Sequence, residues 1–274
     1  MSSIALRPRS ATEIVDAAFQ LMKRYYASLV VVAVVALAPA LVVRVILGTR
    51  PSDPVSVSAV LGVQFLSSAL ADAAIIVAVS DCYLGESVNV GDALARTAAR
   101  LPAIIGASLI RWMLIAISAV APVIVYAPLM VGVPSAARVT GALVFALTAV
   151  LIGLYVALRT MPVTAVIVLE KTGVMACISR AWALTRGEAL RILVTLGLAW
   201  LIYLALWLLA GATMSTVLRS RPVLADILAA VVVAFVYPFI GVVTTLLYYD
   251  LRVRKEGFDL EMMAKELGVA GGVV

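Results

Sequence analysis

Six apolar stretches, each long enough to cross a lipid bilayer, dominate this chain. They run over 27–48, 57–80, 103–131, 139–161, 192–217 and 223–247. A crossing helix needs about 20 predominantly apolar residues. No water in the hydrocarbon satisfies a backbone N–H or C=O, so each span must pair its own, as a helix does within one segment. Of 274 residues, 64% are hydrophobic and 13% charged, and mean hydropathy is +1.14. A soluble domain is about 45–50% apolar and about a quarter charged, so the excess belongs against lipid. The expected fold is all-α: a polytopic integral membrane protein, one membrane domain over 1–274. The first stretch reads as a crossing and not as a cleaved leader, since it continues well past Ala36-Leu37-Ala38.

The absent residue types restrict the chemistry. There is no histidine, which removes Ser-His-Asp and Cys-His hydrolases, HExxH proteases and most catalytic zinc sites. No phosphate-cradling G-x-x-x-x-G-K-[ST] loop occurs. Cys82 and Cys177 are too few for a disulfide framework or a metal site. Asp72 is the one carboxylate well inside a crossing, so paired-carboxylate acid–base work lacks its second group. The expectation is a non-enzyme with no metal and no cofactor. In a membrane protein the net charge of +6 points to anionic lipid headgroups and not to nucleic acid.

Counting Lys and Arg between crossings gives fourteen on the side of the two termini and five on the other. Cytoplasmic segments carry the excess of Lys and Arg. The expected setting is the inner (plasma) membrane of a cell, with both termini cytoplasmic. The opposite-side connections are short, at 49–56, 132–138 and 218–222, too short to fold as a domain.

Each outward crossing follows an amphipathic segment. The first, 10–24, opens on the capping box Ser10-x-x-Glu13. The second, 91–101, places Asp92, Arg96 and Arg100 on one stripe. The third, 174–186, has an apolar face of Met175, Ile178 and Trp182, with Gly187 placed to stop it. Glu86, Val90, Leu94 and Arg96 align with Glu170, Val174, Ile178 and Arg180 at a constant offset of 84. This predicts three parallel helical-hairpin repeats, 10–83, 84–169 and 170–249, each led by a cytoplasmic interfacial helix. A tail over 250–274 follows, with a fourth interfacial helix at 258–267. Glu86 and Glu170 are expected to pair between repeats with Arg96 and Arg180.

Charge inside hydrocarbon is costly, so each instance needs an account. Counted along the helices, Asp72, Arg111 and Arg159 lie at one depth, about 14–17 Å from the cytoplasmic boundary. Tyr155 is one turn from Arg159, and Tyr237-Pro238 falls near the same level. They predict either an ion pair that locks helix register, with the spare arginine snorkelling, or an inward-opening cavity with surplus positive charge for an anion or lipid phosphate. Asp72 is expected to approach Arg111 or Arg159 within salt-bridge distance, directly or through one water. Trp200, Tyr203 and Trp207 form an aromatic face on the fifth crossing, and Tyr83, Trp182, Tyr248 and Tyr249 read as interfacial anchors.

Three strings look familiar together. They are Leu6-Arg-Pro-Arg-Ser10-x-x-Glu13-Ile14-x-Asp16-x-Ala18-Phe19, then Leu169-Glu170 with Ser179-Arg180-Ala181-Trp182-Ala183-Leu184-Thr185-Arg186-Gly187, and last Tyr248-Tyr249-Asp250-Leu251-Arg252-Val253-Arg254-Lys255-Glu256-Gly257-Phe258-Asp259-Leu260. Over nearly the whole chain they resemble the glycerophosphoryl diester phosphodiesterase membrane-domain family. The resemblance implies a membrane module, of a kind fused in some bacterial proteins to a phosphodiesterase whose chemistry resides in the soluble part. Physically, Arg252, Arg254 and Lys255 suit the last turn of a helix, and Gly257 ends it. The function expected from these readings is a non-catalytic module that scaffolds a membrane complex or holds lipids on the cytoplasmic leaflet. Its partners are then lipids with anionic headgroups, and another membrane or cytoplasmic protein. The alternative is a transporter or lipid-handling protein for an anionic solute or phospholipid.

Overall fold

The computed structural model describes residues 8–47, 53–84, 89–129, 131–258 and 260. Ten helices and no strand occur among them. They are α1 (Ala11–Leu47), α2 (Pro54–Tyr83), α3 (Val90–Ala98), α4 (Leu101–Leu129), α5 (Ser135–Arg159), α6 (Val163–Leu169), α7 (Val174–Leu184), α8 (Ala189–Val217), α9 (Pro222–Val236) and α10 (Pro238–Glu256). Six segments are long and apolar enough to cross a membrane, so the chain is a multi-pass helical membrane protein. They overlap the six expected stretches; the first begins at Ala11, before the stretch at 27–48, the fourth and sixth run on to Leu169 and Glu256, and the third ends at Tyr126.

Local chemistry sets the helix ends. The Ser10 N–H donates to Glu13 Oε2 at 2.8 Å, and the Glu13 N–H donates back to Ser10 Oγ at 3.2 Å. That reciprocal box starts α1. The segment 10–24 and the first crossing are two helices that meet at a kink, where Tyr25 leaves helical geometry (φ −115°, ψ 21°). At the start of α2, Asp53 accepts from the Val55 N–H at 3.2 Å and from Ser56 Oγ at 2.9 Å. The Ser56 bond, then the backbone bond, hold the Asp53 carboxyl below its ordinary range. Asn89 caps α3, and Gly257 ends α10 in the left-handed region at φ 65°.

Two prolines interrupt the helices. Pro238 divides the expected crossing 223–247 into α9 and α10, and Pro162, just past the expected crossing 139–161, separates α5 from α6. A proline lacks the N–H for the i−4 carbonyl and its ring collides with that carbonyl. The break after α5 leaves terminal carbonyls without intrahelical partners. One of them, Arg159 C=O, accepts from Thr185 Oγ1 at 3.1 Å. Thus α7 repairs the break that Pro162 makes.

Helices α1, α2 and α10 form the densest part of the core, with α6 and α7 packed beside them. Gly241 lets α10 meet α2 closely: a Cβ there would stand 2.5 Å from Ile75 Cγ2. The pair α4–α5 carries apolar residues turned outward along most of its length, among them Trp112, Leu147 and Val150. In a bilayer that surface meets lipid.

Candidate functional site

Between α4 and the core lies a cavity of about 300 Å³. Asp72 enters from α2, Arg111 from α4, Tyr203 from α8 and Tyr237 from the α9–α10 break, and Ser108 and Thr164 add hydroxyls. The Tyr237 hydroxyl donates to Asp72 Oδ1 at 2.7 Å. No ion pair within 4.0 Å joins Asp72 to Arg111 or Arg159 among the described residues. The direct form of the expected pairing is therefore absent, and Asp72 takes a phenol hydrogen bond beside a cavity that it shares with Arg111. Arg111 Nε is buried with no hydrogen-bond partner. An orphaned donor of this kind costs about 1–3 kcal/mol, more where the group is charged.

Arg159 does not join them. Only 4% exposed, it lies 4.6 Å from the Trp182 ring centroid and 5.9 Å from that of Tyr155. The expected grouping therefore divides into Asp72, Arg111 and Tyr237 on one side and Arg159, Tyr155 and Trp182 on the other. The snorkelling expected of a spare arginine is also absent, because Trp182 covers its guanidinium. Without Arg159, one carboxylate faces one guanidinium and the expected surplus of positive charge disappears.

A second polar assembly gathers at the end of the bundle where α1 begins and α10 stops. Arg180 Nε bonds Glu170 Oε2 at 2.8 Å, and Nη2 bonds Oε1 at 3.2 Å. Arg180 also pairs with Glu256, and the Tyr248 hydroxyl donates to Glu170 Oε1 at 2.9 Å. Bonds from Glu256 and Glu170 push the Arg180 guanidinium above its ordinary range. Asp250 accepts from the Arg9 N–H at 2.8 Å and from Arg254 Nε at 3.0 Å. Arg191 Nη2 stands 2.8 Å from Asp250 Oδ2, off the line of a hydrogen bond, so that contact is Coulombic. Arg252 pairs with Glu256 at 3.1 Å and lies 4.1 Å from the Phe258 ring centroid.

Two expectations change here. Glu170 pairs with Arg180 of its own segment and not across repeats. Glu86 lies outside the described residues, as does most of the helix expected at 258–267; among the described residues Arg96 pairs with Asp81 and Asp92. Tyr248 and Tyr249 are not interfacial anchors. They are 0% and 3% exposed, with Tyr249 sharing a 2.6 Å hydrogen bond with Ser80 and stacked on Tyr83 at 5.0 Å. Asp81 and Arg191 escaped the sequence reading. Asp81 was hidden by sitting just past an apolar stretch, and Arg191 entered only as a count of charge.

The aromatic face of α8 is formed as expected, Trp200 and Tyr203 meeting edge to face at 5.4 Å. Trp200, Leu201, Tyr203, Leu204 and Trp207 line a shallow, open and almost wholly apolar groove on one exposed face of α8, beginning at Gly197. Trp200 and Tyr203 line both groove and cavity, so the two adjoin. No group of three or more His, Cys, Asp or Glu residues able to hold a metal ion occurs among the described residues. Protein-family models, curated proteins and solved structures contain no match to the chain.

Proposed function

We propose that this chain is a non-catalytic membrane module that holds lipid, and that the lipid enters the cavity between α4 and the core. The observation that carries this reading is Arg111, a cation within a membrane-spanning helix whose buried Nε faces no protein acceptor. Ionisable groups at such depth are retained for pathways, binding or pairing, and a direct pair is missing. The apolar groove beside the cavity supplies the other half of an amphiphile's surface. A lipid-moving role for the same site is the second reading. It draws support from the helix breaks at Pro162 and Pro238, since transporters place interrupted helices at their sites.

The module sits in the plasma membrane with its ionic end in the cytoplasm, where Lys and Arg concentrate. There it meets anionic headgroups and offers a surface to another membrane or cytoplasmic protein. Its plan is three parallel hairpin units, 10–83, 84–169 and 170–249. Support comes from the offset of 84 residues and from α3 and α7, each of which precedes a long helix. The resemblance to the phosphodiesterase membrane-domain family fits such a module of bacterial origin.

Lipid carried through purification tests the reading. Protein extracted from native membranes in mild detergent should retain phospholipid by native mass spectrometry, and Arg111→Gln should retain at least fivefold less. Equal retention by the two proteins would overturn it.

A further inference from the structure

The charges facing the cavity sum to zero: one carboxylate, Asp72, and one guanidinium, Arg111. They do not neutralise each other by contact. Asp72 Oδ1 takes the Tyr237 hydroxyl, and Oδ2 has no protein donor among the described residues. Arg111 Nε likewise has no acceptor. Two opposite charges held apart around one space complement a ligand that carries both signs. A simple anion would meet Arg111 but leave Asp72 opposing it. A simple cation would meet Asp72 and be opposed by Arg111.

Size and surroundings narrow the ligand further. About 300 Å³ lies at the lower limit of small-ligand sites, near 300–1,000 Å³. That accommodates a headgroup and excludes two acyl chains. Outside, the groove of Gly197, Leu201, Leu204 and Trp207 adjoins the cavity through Trp200 and Tyr203. From residue 197 to 207 it follows α8 for about 15 Å at 1.5 Å per residue. Its surface is apolar, as an acyl chain requires. Trp112, Trp200 and Tyr203 also line the cavity, and aromatic rings favour an ammonium group. Asp72 Oδ2 favours an ammonium that still carries N–H donors.

We infer that the cavity holds the zwitterionic headgroup of an amine-bearing phospholipid, phosphate toward Arg111 and primary ammonium toward Asp72, with an acyl chain in the α8 groove. This rests on the lipid-holding reading and names the lipid class. Arg111 is well suited to the phosphate, since guanidinium presents donors in a planar fork. The charge separation also explains why the membrane interior retains an acid and a base that make no salt bridge: the ligand bridges them.

The full-length protein in detergent, stripped of endogenous lipid, is titrated in native mass spectrometry with three probes: phosphatidylethanolamine, phosphatidylglycerol and the chain-free glycerophosphoethanolamine. Phosphatidylethanolamine should bind at least tenfold more tightly than either of the others. Asp72→Asn removes the negative partner and should reverse the preference toward phosphatidylglycerol, a change that mere loss of packing does not produce. Leu204→Trp, which fills the groove, should weaken phosphatidylethanolamine at least fivefold. Equal or tighter binding of phosphatidylglycerol to the unaltered protein overturns the zwitterion assignment while leaving a lipid-holding protein. Equal binding of the chain-free probe overturns the groove assignment. Binding of no probe overturns both this inference and the lipid-holding reading. The wild-type comparison decides the lipid class even where a variant fails to fold.

Discussion

Arg111 and Arg159 carry the same charge at the same depth along their helices, yet their surroundings give them different work. Arg111 faces a cavity; Arg159 is covered by Trp182. The difference comes from Pro162, which ends α5 just after Arg159 and brings that turn against α7. Thr185 fixes the turn, its one hydroxyl proton shared between Arg159 C=O at 3.1 Å and Ala181 C=O at 2.8 Å. Thr185 is fully buried, so its isostere valine leaves the Arg159 carbonyl without that donor. Thr185→Val should lower unfolding stability in detergent by about 1–3 kcal/mol, while Thr185→Ser, which keeps the hydroxyl, should lose less than half as much. Thermal unfolding followed by circular dichroism measures both. A valine variant as stable as the unaltered protein would show that the hydroxyl bond to the Arg159 carbonyl contributes nothing. In the sequence, Thr185 is visible only as one letter of a familiar string, because its partner is a backbone carbonyl 26 positions away.

At the scale of helices, the sequence reading recovers the spans but not their faces. The stretches at 57–80 and 192–217 become α2 (Pro54–Tyr83) and α8 (Ala189–Val217), with three of the four ends shifted outward and the last unchanged. Which side of each helix meets protein is hidden, since lipid chains are as apolar as a protein core and leave no contrast along the helix. Caps are legible, as Ser10–Glu13 and Gly257 prove, because a cap is a local hydrogen-bond pattern. Close approach is not legible. Gly241 looks like any glycine in an apolar run, yet α10 and α2 touch through it. Its added Cβ would fall 2.5 Å from Ile75 Cγ2 and 3.2 Å from Ile75 Cβ. Gly241→Ala should cost about 1–3 kcal/mol by forcing the helices apart. In an Ile75→Ala background most of that cost should vanish, because the obstructing Cγ2 is gone. A double-mutant cycle on thermal unfolding in detergent measures the coupling, expected at about 0.5–3 kcal/mol; simple additivity of the two losses would place the strain elsewhere.

At the scale of the molecule, the decisive asymmetry is that the ion pairs seen among the described residues gather at one end. Asp81–Arg96, Glu170–Arg180–Glu256 and Arg191–Asp250–Arg254 tie α2, α3, α7, α8 and α10 together there. The opposite end has short connections and few cations. Positive residues resist translocation, so the ionic end is expected in the cytoplasm. Single cysteines can test this against a quiet background. Cys82 and Cys177 are both buried, and burial pushes the Cys177 thiol up to about 11, so it stays protonated at neutral pH. Four exposed positions then serve as reporters: Ser135 and Ser220 at the sparsely charged end, Lys171 and Ser179 at the ionic end. In intact cells a membrane-impermeant maleimide should label Ser135→Cys and Ser220→Cys and spare Lys171→Cys and Ser179→Cys. After the membrane is opened, all four should react. Labelling of Lys171→Cys or Ser179→Cys in intact cells, with Ser220→Cys silent, would reverse the orientation. The ionic end would then face outward, and the cytoplasmic assignment of its headgroup and protein contacts would fall with it. The cavity chemistry of Asp72 and Arg111 would stand, because it depends on depth within the membrane and not on direction.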